Sequence, residues 1–306
     1  MVALAISLAV LPFAASLGDA GRVLQALEAV TPSLVALLLG CSILNYAVRS
    51  LRFYVFARVL GIRLPFTRLA FYYIAGFSMI ATPGKVGELI RVWFIRRAHG
   101  HRIERGLAMV VADRGSDVIA SVLLCLAGAG ALTGYGAFAL AFTAVVMGMM
   151  LFIMRPQLLL LALTLAYRLV GRGPRLFARL RTFVRQTSIL FAPRVFLPTL
   201  VLALVGWGAE CLALYQCVAE LSGVRNLQLA VFVFPTANLI GGASLIPAGI
   251  GAVEATMVGF LVSGGIAFEP AAAVTVVIRL CTQWFGLALG FVVLFALLRH
   301  MKLSKD

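Results

Sequence analysis

Ionisable residues stand where an apolar chain has little reason to keep them: Lys85, Glu88, Asp113, Arg114, Asp117, Glu210, Glu254 and Arg279 all fall within or beside long hydrophobic runs. A charge in the middle of a membrane helix costs roughly 2.5–3.5 kcal/mol, so such groups persist only by pairing with one another or by lining a wet cavity. The chemistry open to this set is recognition of charge. Arginine presents planar, permanently charged donors that suit phosphate, and the carboxylates supply counter-ions. Asp113 and Asp117, four residues apart, share one face of a helix, with Arg114 turned about 100° from Asp113. Catalysis is poorly supplied: Asp113/Asp117 is the one acidic pair available, and His99, His101 and His300 lie in basic loop or tail sequence. No cluster has metal-ligand spacing, and no cofactor is implied.

Positioning these groups falls to two interruptions of the apolar sequence. The first is Thr82-Pro83-Gly84-Lys85-Val86-Gly87-Glu88, the second Ile246-Pro247-Ala248-Gly249-Ile250-Gly251-Ala252-Val253-Glu254. In each, a glycine follows the proline by four residues and a glutamate stands close behind. Arg114 lies 31 residues after Pro83 and Arg279 lies 32 after Pro247. Paired breaks in corresponding positions of two halves are a pointer to a transporter's substrate site, because broken helices expose free backbone groups and helix ends near the bilayer midplane. Glycines also serve close helix packing, and buried ion pairs can merely fix two halves together. Recurrence of the charges beside both breaks favours a polar cavity.

The rest of the chain is a membrane protein's. Of its 306 residues 62% are hydrophobic and 12% charged, which excludes a soluble globular domain. The net charge of +15 comes from arginines in short segments between apolar runs, a distribution that sets topology rather than binding nucleic acid. Cys41, Cys125, Cys211, Cys217 and Cys281 sit in apolar runs without a CxxC pair and are expected to pack as small hydrophobes.

At about 20 residues per span, the sequence predicts helices near 2–18, 33–51, 108–131, 136–154, 196–221 and 270–298, with two broken regions over 66–98 and 227–266. The expected architecture is all-α and polytopic, within one membrane domain over 1–306: about six transmembrane helices plus two re-entrant broken-helix hairpins. Arg49, Arg52, Arg58, Arg63 and Arg68 before the first hairpin, and Arg91, Arg96, Arg97, Arg102 and Arg105 after its break, assign both of its ends to the cytoplasm. The eight arginines of 155–194 do the same for that basic, amphipathic segment, which suits a membrane surface. Both ends of the second hairpin then fall outside, and the two enter from opposite faces as an inverted repeat. Both termini are expected in the cytoplasm, in a bacterial-type plasma membrane.

The stretch Thr82 to Arg91, the Asp113-Arg114 pair with Asp117, and Ser244 to Glu254 resemble the flippase-like membrane domain of lysylphosphatidylglycerol synthases and their stand-alone relatives. In that family the motifs usually read P-G-G-x-G-E, E-R with a downstream D, and P-G-G-x-G-x-x-E. Lys85, Asp113 and Ala248 depart from them. The resemblance implies transport of aminoacylated or otherwise modified phospholipid, or handling of isoprenoid-linked lipids. The chain ends at Asp306, six residues beyond His300, so synthase activity is not expected.

The resulting expectation is a non-enzymatic flippase whose partners are membrane phospholipids or polyisoprenoid-type lipids. Its substrate-binding residues would be Pro83, Gly84, Lys85, Gly87, Glu88, Asp113, Arg114, Asp117, Pro247, Gly249, Gly251, Glu254 and Arg279. An accessory protein or enzyme of lipid-linked sugar, isoprenoid or hopanoid metabolism is the alternative.

Overall fold

Long apolar helices dominate because the composition gives the backbone nowhere else to satisfy its hydrogen bonds in lipid. In a computed structural model the description covers residues 27–80, 82, 87–129, 174–244 and 246–303, with isolated positions elsewhere. The predicted spans 2–18 and 136–154 fall outside these continuous stretches. Among the described residues there is no strand, and the protein is an all-α membrane protein.

Helix α1, Pro32–Val59, opens with Thr31 as N-cap, its hydroxyl accepting from the Leu34 N–H at 3.2 Å, and with Pro32 at the first position. A broken pair follows: α2, Phe66–Ala75, continues into a tight turn at Gly76–Met79, and α3, Ile90–His99, resumes beyond the interruption. Helix α4, Ile103–Gly128, completes this unit. After α5, Pro174–Leu190, the order repeats. A long helix α6, Pro193–Ser222, is followed by α7, Leu227–Ala243, a single turn at Pro247–Gly249, and α8, Ala252–Ser263. Helix α9, Phe268–Arg279, then passes through a π turn at Leu280–Trp284 into α10, Phe285–Leu303. Helix α1, helix α6 and the continuous run Phe268–Met301 are long and apolar enough to cross a membrane.

The two units exchange contacts. Helices α1 and α6 pack on each other, α7 of the second broken pair lies along α4 of the first unit, and α2 with its turn lies along α10 of the second. Both crossings depend on a glycine. A Cβ on Gly128 would stand 2.5 Å from the Phe232 nitrogen of α7, and one on Gly290 would stand 2.3 Å from the Ser78 nitrogen. Hydrogen is the only side chain that lets these backbones come so close.

Two apolar cores result. One gathers Leu34, Leu38, Leu214, Phe232 and Met257; the other gathers Phe53, Phe56, Tyr73, Phe94 and Leu294. Helix α1 contributes to both, and on it a row of polar residues, Ser42, Asn45, Arg49 and Arg52, starts between the two contributions and runs alongside the second. At spacings of three and four these residues form one stripe, and with the groups they face they make a polar layer.

Candidate functional site

Helix α1 was expected to end near residue 51, with Arg49 and Arg52 as cytoplasmic anchors. It runs instead to Val59, and Arg52 is fully buried. Arg91, also expected among the cytoplasmic charges, is fully buried too. The physical reason is supplied by α4. Asp113 and Asp117, on one face as their spacing requires, point at α1 and hold these arginines in the protein interior.

Arg52 donates through Nε and Nη2 to Asp113 Oδ1 at 2.9 and 2.5 Å, and through Nη2 to Asp117 Oδ1 at 2.7 Å. Arg49 pairs with the other oxygen of Asp117. Arg114 reaches Asp113 at 3.1 Å, Asp117 at 3.2 Å and Glu88 at 3.3 Å. Arg91 lies 3.6 Å from both Glu88 and Asp113, over the ring of Tyr73, and donates its Nε to the Tyr73 carbonyl. The Tyr73 hydroxyl and the Trp207 indole N–H complete the shells of Asp113 and Asp117 at 3.0 and 3.3 Å. Four guanidinium groups thus gather around Glu88, Asp113 and Asp117, and a fourth buried carboxylate, Glu210, borders the same cavity outside ion-pairing distance of them. Arg49 Nε, Arg52 Nη1 and both terminal nitrogens of Arg91 are buried with no hydrogen-bond acceptor. Around these guanidinium groups the donors outnumber the acceptors within reach.

The two breaks are closed by different devices. At the first, the Thr82 hydroxyl donates to the Met79 carbonyl at 2.7 Å and accepts the Gly87 N–H at 2.8 Å, bridging the interruption. Pro83, Gly84 and Lys85 lie outside the described residues. Glu88 is left to face Arg91 and Arg114. At the second, Pro247 starts the single turn, and Ala248, Gly249 and Gly251 take positive φ values of 58°, 65° and 83°. Glu254 accepts the Gly251 N–H at 2.7 Å and Arg279 Nε at 2.7 Å. Arg279 also donates to the Ala248 carbonyl at 3.0 Å and bonds Gln283, whose own amide reaches the same carbonyl at 2.8 Å.

Arg114 and Arg279, at matching distances from the two breaks, have different surroundings. Each does meet the glutamate of its own break. Every nitrogen group of Arg279 is nevertheless spent on Glu254, Gln283 or Ala248, and its side chain is 5% exposed, whereas that of Arg114 is 29% exposed. Glu254, spent on capping and on Arg279, is likewise a structural member.

Between the units lies a cavity of about 100 Å³, room for a few waters. Glu88, Arg49 and Arg114 of the ion network line it, with Trp207, Tyr46 and Gln283. The second unit supplies Trp207 and Glu210 from α6, Asn238 from α7, and Gln283; Arg279 and the turn at Pro247–Gly251 do not line it. Arg49, Arg52, Arg91, Tyr73 and Trp207 were not singled out from sequence as site residues. The stripe Ser42, Asn45, Arg49, Arg52 on an otherwise apolar helix was the available signal.

The sequence model of the lysylphosphatidylglycerol synthase TM region matches residues 1–290. The chain belongs to this family. Two matches to proteins named UPF0104 membrane protein, both from Methanothermobacter thermautotrophicus, agree with a stand-alone member of the synthase TM region. One is 23% identical over 294 residues, 88% of this chain and 87% of the relative. The other is 32% identical over 90 residues, 29% of this chain, and spans only 27% of that relative's length. Membership gives the protein a membrane location and a lipid-related setting.

Proposed function

We propose that the protein moves a polar lipid across the bilayer, with the head group passing through the cavity bounded by Arg49, Arg114 and Glu88 while the acyl chains stay in lipid. The observation that carries this reading is a cluster of buried guanidinium groups with unsatisfied N–H donors, two of which, Arg49 and Arg114, line a cavity. A phosphate would supply the acceptors that these guanidinium groups lack. Arg114 and Arg49 would contact it; Arg52 and Arg91, buried behind them, would hold Asp113 and Glu88 in place. At about 100 Å³ the cavity accepts a phosphate but no whole head group, so passage requires the two broken units to separate, alternately toward each face. Opposed entry of those units, both termini in the cytoplasm and a bacterial-type plasma membrane belong to the same reading.

In this reading the protein is a carrier rather than an enzyme, and what supports it is that Glu88, Asp113 and Asp117 are each engaged by arginine. The test is transfer of fluorescent anionic phospholipid between the leaflets of vesicles containing the purified protein, followed by an impermeant quencher. Arg114→Gln should abolish protein-dependent transfer in protein that still elutes as a folded species in size-exclusion chromatography, and Arg225→Gln should leave it unchanged. Transfer no faster than in protein-free vesicles, or unaltered by Arg114→Gln, would refute the proposal.

A further inference from the structure

The cavity has a second polar feature, and the ion network does not use it. Glu210 on α6 is 2% exposed and Asn45 on α1 is 6% exposed, and both line the cavity. Asn45 Nδ2 donates to Glu210 Oε1 at 2.9 Å, and the Ser42 hydroxyl stands beside the same carboxylate. Glu210 Oε2, Asn45 Oδ1 and the fully buried Ser42 Oγ, one turn earlier on the same stripe of α1, have no hydrogen-bond partner. Among the described residues no Lys, Arg or His nitrogen lies within ion-pairing distance of Glu210. Asp113, Asp117, Glu88 and Glu254 each have at least one guanidinium partner, so Glu210 is the exception in this interior.

A buried carboxylate with neither a counter-charge nor a full set of donors is not a stable resting arrangement. Ser42 has a single proton to give, and turning it to Glu210 leaves Asn45 Oδ1 unsatisfied. What the three share is oxygen: a carboxylate, an amide carbonyl and a hydroxyl, the donor types that hard cations take. One carboxylate balances one positive charge, which selects a monovalent ion over a divalent one. Gly206, one turn before Glu210, leaves the room in which Asn45 Oδ1 sits.

We propose that Glu210, Asn45 and Ser42 form a binding site for a small monovalent cation, sodium or a proton, loaded from the cavity that Arg49 and Arg114 line. Sodium would accept all three oxygens directly. A proton on Glu210 Oε2 would be donated to Asn45 Oδ1 or Ser42 Oγ and satisfy the same set. The ionisable neighbours are Cys41, Tyr46 and Arg49 on α1, Cys211 on α6 and Cys281 in the π turn. Helix α4 contributes Asp117 through Trp207, α7 brings the uncharged Asn238 to the cavity, and Arg279 at the end of α9 is engaged by Glu254. Arg49 is held by Asp117, so an occupied site keeps it there, and an empty, ionised Glu210 would compete for it. The role as a coupling ion rests on the transport reading; the binding does not.

The experiment uses the full chain in detergent without added lipid. Sodium chloride replaces choline chloride at constant ionic strength while thermal unfolding and the fluorescence of Trp207, three residues before Glu210, are followed. If the ion is sodium, both signals shift saturably, the shift is lost in Glu210→Gln, and the apparent affinity falls at least tenfold in Ser42→Ala. If it is a proton, sodium has no effect, and the infrared spectrum at neutral pH contains a protonated-carboxyl band that is sensitive to deuterium, absent in Glu210→Gln and displaced in Ser42→Ala. Neither response in the wild type, or either response surviving unchanged in Glu210→Gln, overturns the proposal. Should Glu210→Gln not fold, Ser42→Ala decides alone, an unchanged affinity and an unchanged band both counting against the site. Arg114→Gln, which disables the proposed lipid path, should leave the cation response intact, so failure of one reading is distinguishable from failure of the other.

Discussion

Arg279 donates Nη2 to the carbonyl of Ala248 at 3.0 Å, and Ala248 is the non-glycine residue that takes a positive φ, 58°, among those described. The left-handed conformation aims that carbonyl at Arg279 and at Gln283. For an L-residue with a Cβ it costs about 1–2 kcal/mol, and the two donated hydrogen bonds offset it. Ala248→Gly removes the strain but adds roughly 0.4–1 kcal/mol of backbone entropy to the unfolded chain. A net gain of about 0.5–1 kcal/mol is expected, seen as a higher thermal unfolding temperature in detergent. Ala248→Val, with a branched Cβ in the same conformation, should lower it.

The bond between Arg52 and the two aspartates gives the second expectation. Removing one partner of a buried ion pair leaves an uncompensated charge, at a cost of about 3–5 kcal/mol. Arg52→Leu should therefore sharply reduce the folded fraction recovered by size-exclusion chromatography. Adding Asp113→Leu deletes one of the stranded carboxylates and should recover at least ~1 kcal/mol in a double-mutant cycle of thermal unfolding. Additive losses would mean that the pair is not the unit that holds α1 to α4.

How far these relationships could be read from sequence depends on the residue. Pro247, Gly249, Gly251 and Glu254 announced a break because a chain that leaves the helix inside a membrane needs a proline or positive φ, and a carboxylate can cap the helix that resumes beyond it. Asp113 and Asp117 announced a shared face through their spacing. Arg49 and Arg52 misled because an arginine near the end of an apolar helix has the same composition signature whether it anchors the helix at the surface or extends inward. Only the stripe shared with Ser42 and Asn45 separates the two cases, and a count of positive charges per loop does not see it. The difference between Arg114 and Arg279 was not legible at all: it depends on Gln283 and on a carbonyl turned by Ala248, neither of which is a charge.

The crossing of the two units at Gly290 yields a third expectation. A methyl at this position would meet backbone atoms, the Ser78 nitrogen at 2.3 Å and the Phe77 carbonyl carbon at 2.8 Å, and backbone cannot rotate away. Gly290→Ala should cost about 1–3 kcal/mol, the usual penalty for overfilling a packed contact. Gly242→Ala, in α7 with nothing within 4 Å of the added carbon, should be neutral or raise stability by up to about 1 kcal/mol through helix propensity. Comparing the two by thermal unfolding isolates the contact from the intrinsic effect of alanine.

The last expectation concerns which way the protein sits. Arg96, Arg97, Arg102 and Arg105 cluster around the end of α3 and the start of α4, and Arg97 is exposed there, as is Arg225 between α6 and α7. Positive charge beside membrane helices is retained on the cytoplasmic side, so the clustered end should be inside and the solitary Arg225 outside. In a cysteine-free background, Arg97→Cys should react with an impermeant maleimide only in inverted vesicles, and Arg225→Cys should react in intact cells. Labelling of Arg97→Cys from outside intact cells would reverse the orientation of the first broken unit. It would also remove the physical basis for two units that open the cavity alternately to opposite faces, because both ends of that unit would then share a side with the second.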